Sequence, residues 1–229
     1  IPDRNRTCWS LNTWKIRLAL NYKGIDYETE WVEYLDIEPR LKPTGLEGDP
    51  NQIALFTCPT VQFPDETYIM NSAKIIKRIE SDYPEPSLHF ESEALKQMYD
   101  LLSETFINLG PALFVNAPRD ILHKRSADCF SRTRAKTYGM PLDKLEQTKG
   151  GELAWANAKE SLGTTAALQN KTKGPFFLGD KFSYIDCIYV GFLFFVRKFT
   201  EDAYQRIIQH PASFENIYKT SEEWLKRKD

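Results

Sequence analysis

The chain has 229 residues, of which 41% are hydrophobic and 13% are aromatic, and its formal net charge is −2. A chain of this length and composition can bury a substantial core, and its charge excludes a general electrostatic attraction to nucleic acid or membranes. The longest apolar run, residues 185–196, contains Asp186 and is too short to cross a bilayer.

The cysteines are scattered along the chain, with no Cys-x-x-Cys pair and no histidine close to any of them. This spacing predicts that they bind no metal and that the protein is reduced and cytoplasmic. The four are Cys8, Cys58, Cys129 and Cys187.

Residues 10–24 are predicted to form a short polar loop that runs into a helix. Asn12 or Thr13 is a suitable N-cap, and Gly24 provides the usual left-handed stop. The Ser10 hydroxyl then lies just outside a helix N-terminus, where free N–H groups and the helix dipole favour an anion. On this segment alone, a capped surface helix is the simpler interpretation. Its lysines, Lys15 and Lys23, are expected to be solvated.

Strands and turns are predicted in the region that follows. Residues 27–32 alternate and carry β-formers, whereas residues 36–57 are weakly patterned and predict a long loop. Residues 58–63 and 67–70 predict a hairpin, with a proline at the start of its first strand. Asn71 and Ser72 then cap a helix that ends before residue 84.

Beyond residue 86 the patterns indicate helices only. The predicted helices cover residues 91–108 (stopped by Gly110 and Pro111), 126–138, 152–168, 183–199 and 213–226. The last but one is the most apolar and begins with Ser183 and Asp186 in Ser-x-x-Asp spacing, which predicts a capping box. The order predicts an α/β domain over residues 1–85 and an all-α domain over residues 91–229.

Three signals in this order resemble the glutathione transferase superfamily over nearly the whole chain: the Ser10 loop, the Cys58–Pro59 hairpin with its capped helix, and the capping box. The resemblance implies a thioredoxin-like N-terminal domain that binds glutathione and a helical C-terminal domain that binds a second substrate. It also implies a cis Pro59 and pairing of the Cys58 backbone with the cysteinyl moiety of glutathione. Further implied roles are binding of the γ-glutamyl end by Asn71 and Ser72, and burial of the capping box Ser183 and Asp186.

A narrower resemblance rests on the sequence Trp-Ser-Leu-Asn-Thr-Trp-Lys-Ile-Arg at residues 9–17 and Asn-Tyr-Lys-Gly-Ile at residues 21–25. These are similar to fungal transferases of the etherase-like class, related to bacterial β-etherases, which use serine where other classes use tyrosine or cysteine. The resemblance implies Ser10 as the catalytic residue and Asn12 as a further glutathione-binding residue. Leu11 replaces a common proline, and Asn71 replaces a usual acidic residue that receives the γ-glutamyl amine.

The expected function is activation of the glutathione thiolate through Ser10 for attack on apolar aromatic electrophiles, including aryl ethers. Glutathione is then a co-substrate, no metal is needed, and the family resemblance implies a homodimer with the first long helix as its seam. Aromatic side chains expected to line the second-substrate pocket are Trp9, Tyr99, Phe106 and Phe114. Three alternatives remain open: a ligandin that binds aromatic compounds without turnover, a regulatory protein, and a thiol reductase that uses Cys8.

Overall fold

The computed structural model describes residues 2–209 and 212–227. Its first part combines helices with one small sheet: α1 Leu11–Lys23, α2 Ile37–Leu41, β1 Thr60–Gln62, β2 Tyr68–Met70 and α3 Ser72–Asp82. Its second part is helical: α4 Glu93–Leu113, α5 Lys124–Tyr138, α6 Leu142–Lys149, α7 Gly151–Gln169, α8 Tyr184–Phe199, α9 Glu201–Ile208 and α10 Ala212–Thr220. This order confirms the predicted fold class, while the domain limits at residues 85 and 91 stay a prediction.

The predicted hairpin is present as an antiparallel pair of short strands. Thr60 lies opposite Met70, and Gln62 lies opposite Tyr68. The predicted strand at residues 27–32 is wrong, because residues 25–33 adopt no regular structure. The segment is held by side chains instead of a strand ladder, since the Arg17 guanidinium donates to the hydroxyls of Tyr27 and Thr29.

Helix α8 is the centre of the hydrophobic core, and α1 packs directly against it. Most of α8 is buried, including its polar N-terminal residues. The two helices approach closely at Gly191, where an added Cβ would lie 3.2 Å from Leu11 Cδ1 and 3.3 Å from Trp14 Cβ. The Trp14 and Phe194 rings are 4.5 Å apart. This contact holds the start of α1, and with it Ser10, against the helical part of the molecule.

Helix α4 continues past the predicted stop at Gly110 and Pro111 and ends at Leu113. Proline normally breaks a helix because it lacks an N–H donor. Here tertiary packing compensates, since Gly110, Pro111 and Leu113 are buried. The missing side chain of Gly110 also matters, because an added Cβ would come within 2.7 Å of both a Phe114 ring carbon and the Tyr138 hydroxyl.

The C-terminal region contains more and shorter helices than its sequence pattern predicts. The predicted helix 213–226 is instead α10 followed by a separate 3₁₀ turn at Glu222–Leu225. Helices α6 and α9 have no counterpart among the predicted helices. Helix α9 begins immediately after α8, where the Thr200 hydroxyl accepts a hydrogen bond from the Asp202 amide at 3.2 Å. No helix in the described ranges is long and apolar enough to span a bilayer.

Candidate functional site

The Ser10 hydroxyl lies at the N-terminus of α1 and has no hydrogen-bond partner among the described residues. Helix α1 begins at Leu11, so Ser10 is the N-cap residue, and the predicted cap at Asn12 or Thr13 is wrong. Burial of Leu11 against α8 explains why the helix starts earlier than the capping pattern indicates. The Ser10 side chain makes no capping hydrogen bond, although its carbonyl accepts the Trp14 amide at 3.0 Å. The hydroxyl is therefore available to a ligand at the positive end of the helix.

Cys8 lies two residues away but is a buried, protonated thiol. It is 1% exposed, and burial raises its pKa above the usual range. Its carbonyl accepts a hydrogen bond from the Trp14 indole N–H at 3.1 Å, which fixes the loop on α1. A reactive cysteine needs access and a lowered pKa. The geometry therefore favours Ser10 over Cys8 as the group that meets a substrate.

The loop before β1 lies beside the first turns of α1. The Cys58–Pro59 peptide bond is cis. A cleft of about 770 Å³ is lined by both Cys58 and Pro59 and by Thr13 and Arg17 of α1. Within the described residues neither the amide nor the carbonyl of Cys58 has a hydrogen-bond partner, while burial raises the pKa of its thiol. The Cys58 backbone is thus open to an extended ligand.

Asn71 and Ser72 form the start of α3, as predicted. Asn71 is the N-cap, with a left-handed φ of 82°, and its side-chain oxygen accepts the Ala73 amide at 2.9 Å. This bond uses one of the two lone pairs of the oxygen, and the amide N–H groups have no partner among the described residues. Asn71 can therefore also donate to a carboxylate, which the acidic residue usual at this position cannot do.

Sequence reasoning missed two buried polar residues in this region, Lys15 and Tyr184. The prediction that Lys15 is solvated is wrong, because the residue is 7% exposed and burial lowers its pKa to about 8. Its Nζ donates to Asn12 Oδ1 at 2.9 Å and lies 5.6 Å from the Tyr99 ring centroid. The sequence of α1 does indicate this burial, because its apolar residues occur on all sides of the helix and leave Lys15 little access to solvent. Lys23 pairs with Glu80 at 2.6 Å, so its predicted solvation is also wrong.

The Tyr184 hydroxyl connects this region to α3. Tyr184 is fully buried, and its hydroxyl lies beside those of Ser72 and Tyr99. The hydroxyls of Tyr184 and Tyr99 have no hydrogen-bond partner of acceptable geometry in the described structure. Burial raises the pKa of both phenols, so both remain protonated donors. The starts of α1 and α3 are thereby linked through one polar cluster, in which Lys15 and Tyr184 are buried, Ser72 and Tyr99 are half-buried, and Asn12 is exposed.

Three of the four residues predicted to line a second-substrate pocket belong to one aromatic cluster. The Trp9 and Phe195 rings stack at 6.0 Å, and Phe195 meets Phe106 at 5.4 Å. The Phe106 and Phe114 rings stack at 6.2 Å. Trp9 is buried, whereas Phe106 and Phe114 are half-buried and keep an exposed surface. Tyr99 makes no ring contact with this cluster in the described part of the chain and lies beside Lys15 instead.

Ser183 and Asp186 form the predicted capping box, and both are fully buried. The Asp186 carboxylate accepts the Ser183 amide at 2.8 Å and the Phe177 amide at 2.9 Å. It also accepts the Ser183 hydroxyl. Burial outweighs these bonds and raises the pKa of Asp186 to about 6. The role of this pair is structural, because its hydrogen bonds fix the start of α8.

The described residues contain no group of three or more His, Cys, Asp or Glu side chains that could hold a metal ion.

The small mixed unit followed by a helical unit defines a thioredoxin-like domain joined to an all-α domain. The family model described as the N-terminal domain of glutathione S-transferase matches residues 9–82, and that of the C-terminal domain matches residues 94–224. The chain belongs to the glutathione S-transferase family.

Similar proteins come from several fungi. The chain is 27% identical to the glutathione S-transferase-like protein ustS of Aspergillus flavus, over 98% of this chain and 87% of that protein. The crystal structure of GSTFuA3 from Phanerochaete chrysosporium is 27% identical with a TM-score of 0.85, covering 100% of this chain and 96% of that one. CsGST63524 of Ceriporiopsis subvermispora, solved with glutathione, is 26% identical with a TM-score of 0.83, covering 100% and 97%. The predicted resemblance to fungal transferases is confirmed.

Proposed function

We propose that this protein is a glutathione transferase in which the Ser10 hydroxyl donates a hydrogen bond to the glutathione thiolate. The observation that carries the proposal is the free hydroxyl of Ser10 at the N-cap of α1. The thiol proton passes to solvent, and the thiolate sulfur attacks an electrophilic carbon. A C–S bond forms while the bond to the leaving group breaks, and the leaving group departs with the electron pair.

The available interactions are large enough for this role. Lowering a thiol pKa from ~8.5 to ~6.5 requires about 2.7 kcal/mol of preferential stabilisation of the thiolate. A hydrogen bond to a charged acceptor supplies roughly 1.5–3 kcal/mol, and a helix N-terminus adds roughly 0.3–1 kcal/mol. Ser10 and the α1 dipole therefore suffice without a separate general base.

The remaining predicted residues suit the binding of glutathione around Ser10. The unpaired backbone of Cys58, beside Pro59, supports pairing with the cysteinyl moiety. The start of α3 at Asn71 and Ser72 supports binding of the γ-glutamyl end, and Asn12 stands on the first turn of α1. The binding of glutathione by the similar transferase CsGST63524 supports the choice of ligand.

We infer that the second substrate is an apolar aromatic electrophile. The half-buried rings of Phe106 and Phe114 stack on each other, and Phe106 is connected through Phe195 to buried Trp9, the neighbour of Ser10 in sequence. Stacking on such rings favours aromatic ligands. Cleavage of an aryl ether by this chemistry, as the etherase-like resemblance implies, releases a phenolate. The free thiols of all four cysteines suit a reduced, cytoplasmic setting.

The proposal is tested by measuring glutathione binding by calorimetry and thioether formation with a chlorinated nitroarene and an aryl ether. Binding with turnover supports the transferase, and the ether identifies the etherase reaction. Binding of aromatic compounds without turnover would instead favour the ligandin. A chain that binds neither glutathione nor aromatic compounds contradicts both, which leaves the regulatory alternative.

Replacing Cys8 by serine is expected to leave conjugation unchanged within about twofold, because the thiol is buried and its pKa is raised. The rate of thioether formation at pH 7 is the measurement, with disulfide reduction by glutathione assayed in parallel. Loss of disulfide reduction in Cys8→Ser, with conjugation absent from the wild type, would support the thiol reductase instead.

We propose that the protein forms a homodimer in which α4 contributes to the interface. Ile107 of α4 is 65% exposed, and Leu153 of α7 is 52% exposed. The two helices pack together, with the Thr105 and Ser161 hydroxyls 2.9 Å apart. On the other part of the chain, Ile53 is 59% exposed. Large apolar side chains left exposed on both parts suit an interface that pairs the first part of one subunit with the second part of another.

Ile107→Lys is expected to shift the protein from dimer to monomer at micromolar concentration, because it places a charge in an apolar interface. Sedimentation velocity measures the change. Glu160→Lys, which adds a lysine at an exposed position of α7 without removing an apolar group, is the matched control. A wild type that sediments as a monomer would contradict the proposed dimer.

A further inference from the structure

Lys15 is a buried cation without a counter-charge. No carboxylate lies within 4.0 Å of its ε-ammonium in the described part of the chain, and its hydrogen bond goes to the neutral Asn12 side chain. On the same helix, Lys23 pairs with Glu80 at 2.6 Å. Burial of an unpaired charge is unfavourable, and burial alone lowers the pKa of Lys15 to about 8. An anionic ligand would supply the missing counter-charge.

The direction of the Lys15 side chain places its charge at the start of α1. Helical side chains lean toward the N-terminus, and the contact with Asn12 shows that Lys15 does so. The ammonium group therefore adds to the positive end of the helix dipole, on the turn that follows Ser10. It lies 5.6 Å from the Tyr99 ring centroid, which connects it to the polar cluster at the start of α3.

The other members of this cluster include three neighbouring hydroxyls. Those of Tyr99, Tyr184 and Ser72 lie beside one another, and none bonds to an acceptor outside this group in the described structure. A row of three hydroxyls leaves one O–H donor for a ligand. Both tyrosines lie on the side of Ser72, which begins α3 and whose backbone N–H has no partner among the described residues. Asn71 presents amide N–H groups as well, which have no partner among the described residues. Donors from three helices, α3, α4 and α8, together with the uncompensated cation of α1, match a carboxylate.

We propose that Lys15 is the counter-charge for the γ-glutamyl carboxylate of bound glutathione. The inference rests on the proposed function, since it takes glutathione as the ligand. We assign the γ-glutamyl carboxylate, not the glycyl one, because Lys15 contacts Tyr99 and the Tyr99 hydroxyl lies in the same cluster as Ser72 at the start of α3. The thiol of the same glutathione molecule is placed at Ser10. Lys15 is thus a positioning residue: it anchors the far end of glutathione and thereby holds the sulfur at Ser10.

The test compares three ligands by calorimetry with the wild type, Lys15→Met and Lys77→Met. The ligands are glutathione, its glycyl monoethyl ester, and γ-aminobutyryl-cysteinyl-glycine, which lacks only the γ-glutamyl carboxylate. Lys77 is an exposed residue of α3 and controls for the loss of one positive charge. We expect Lys15→Met to weaken binding of glutathione and of the ester at least tenfold, and to leave binding of the third ligand unchanged. Lys77→Met should bind all three like the wild type.

The contrary outcomes are distinct. Equal weakening of all three ligands by Lys15→Met, or no weakening of any, overturns the role of Lys15. A tenfold effect seen with glutathione and the third ligand but lost with the ester assigns Lys15 to the glycyl carboxylate and overturns the γ-glutamyl assignment. A wild type that binds no glutathione overturns the proposed function together with this inference.

Folding controls separate binding from stability. Without ligand, Lys15→Met should melt at or above the wild-type temperature, because it removes an unpaired buried charge. Added glutathione should raise the melting temperature of the wild type more than that of the variant. Lys15→Arg, which keeps the charge, should recover part of the glutathione-dependent shift. If Lys15→Met does not fold, Lys15→Gln takes its place with the same expected pattern.

Discussion

Asp186→Ala is expected to lower the free energy of unfolding by about 3 kcal/mol, because each buried donor left without a partner costs roughly 1–3 kcal/mol. The substitution removes the acceptor of two backbone amides, those of Phe177 and Ser183, and of the Ser183 hydroxyl. None of these groups gains access to water, since Ser183 is fully buried and Phe177 nearly so. A drop of this size in a chain of this length corresponds to roughly 6–12 °C in melting temperature.

Denaturant unfolding followed by circular dichroism measures the loss. Asp128→Ala, at an exposed position of α5, is the matched control and should change stability by less than about 0.5 kcal/mol. Ser183→Ala should also destabilise, and the double variant should lose less than the sum of the two single losses, because the residues share one network. Unchanged stability of Asp186→Ala would contradict the structural role of the box.

The same carboxyl group predicts a pH dependence. Burial raises the pKa of Asp186 from its usual 3.8 to about 6, so the folded state binds a proton that the unfolded state releases in this range. The contribution to stability is full below the unfolded pKa and is lost as pH rises through the folded pKa. Between pH 7 and pH 5 the wild type should therefore gain about 1 kcal/mol relative to Asp186→Ala. No widening of the difference would contradict the raised pKa.

Ser10→Ala is expected to reduce kcat/KM for conjugation near neutral pH by about tenfold to a hundredfold, because one charge-assisted hydrogen bond is worth roughly 1–2 pKa units of the bound thiol. The loss should shrink as pH rises, since more glutathione is ionised without help. The free Ser10 hydroxyl makes no capping hydrogen bond, so its removal should leave the stability of α1 nearly unchanged.

The measurement is kcat/KM against pH for the wild type and variants. Ser103→Ala, which removes an exposed hydroxyl from α4, is the matched control and should follow the wild-type profile. Ser10→Cys should turn the protein toward thiol reductase chemistry, because a thiolate at a helix N-terminus is itself a nucleophile. If Cys8→Ser abolished conjugation while Ser10→Ala preserved it, the chemistry would belong to Cys8.

Several features of this protein follow from residues that are close in sequence. The capping box joins Ser183 to Asp186, three positions apart, and the apolar residues after it determine a buried helix. The left-handed stop at Gly24 and the cap at Asn71 are equally local. Such interactions form within a single turn, so the sequence by itself predicts them and places Ser10 at a helix start.

Only the tertiary structure decides which side chains are buried together. Lys15 is polar and is expected in solvent, yet it is buried, with its ammonium group 5.6 Å from the ring centroid of Tyr99 on α4. Helix α4 passes Pro111 for the same kind of reason, because burial outweighs a local helix breaker. Tyr99, Tyr184 and Ser72 come from three helices, and Trp9 meets Phe106 through Phe195. These contacts depend on distances across the fold, which local sequence patterns do not encode.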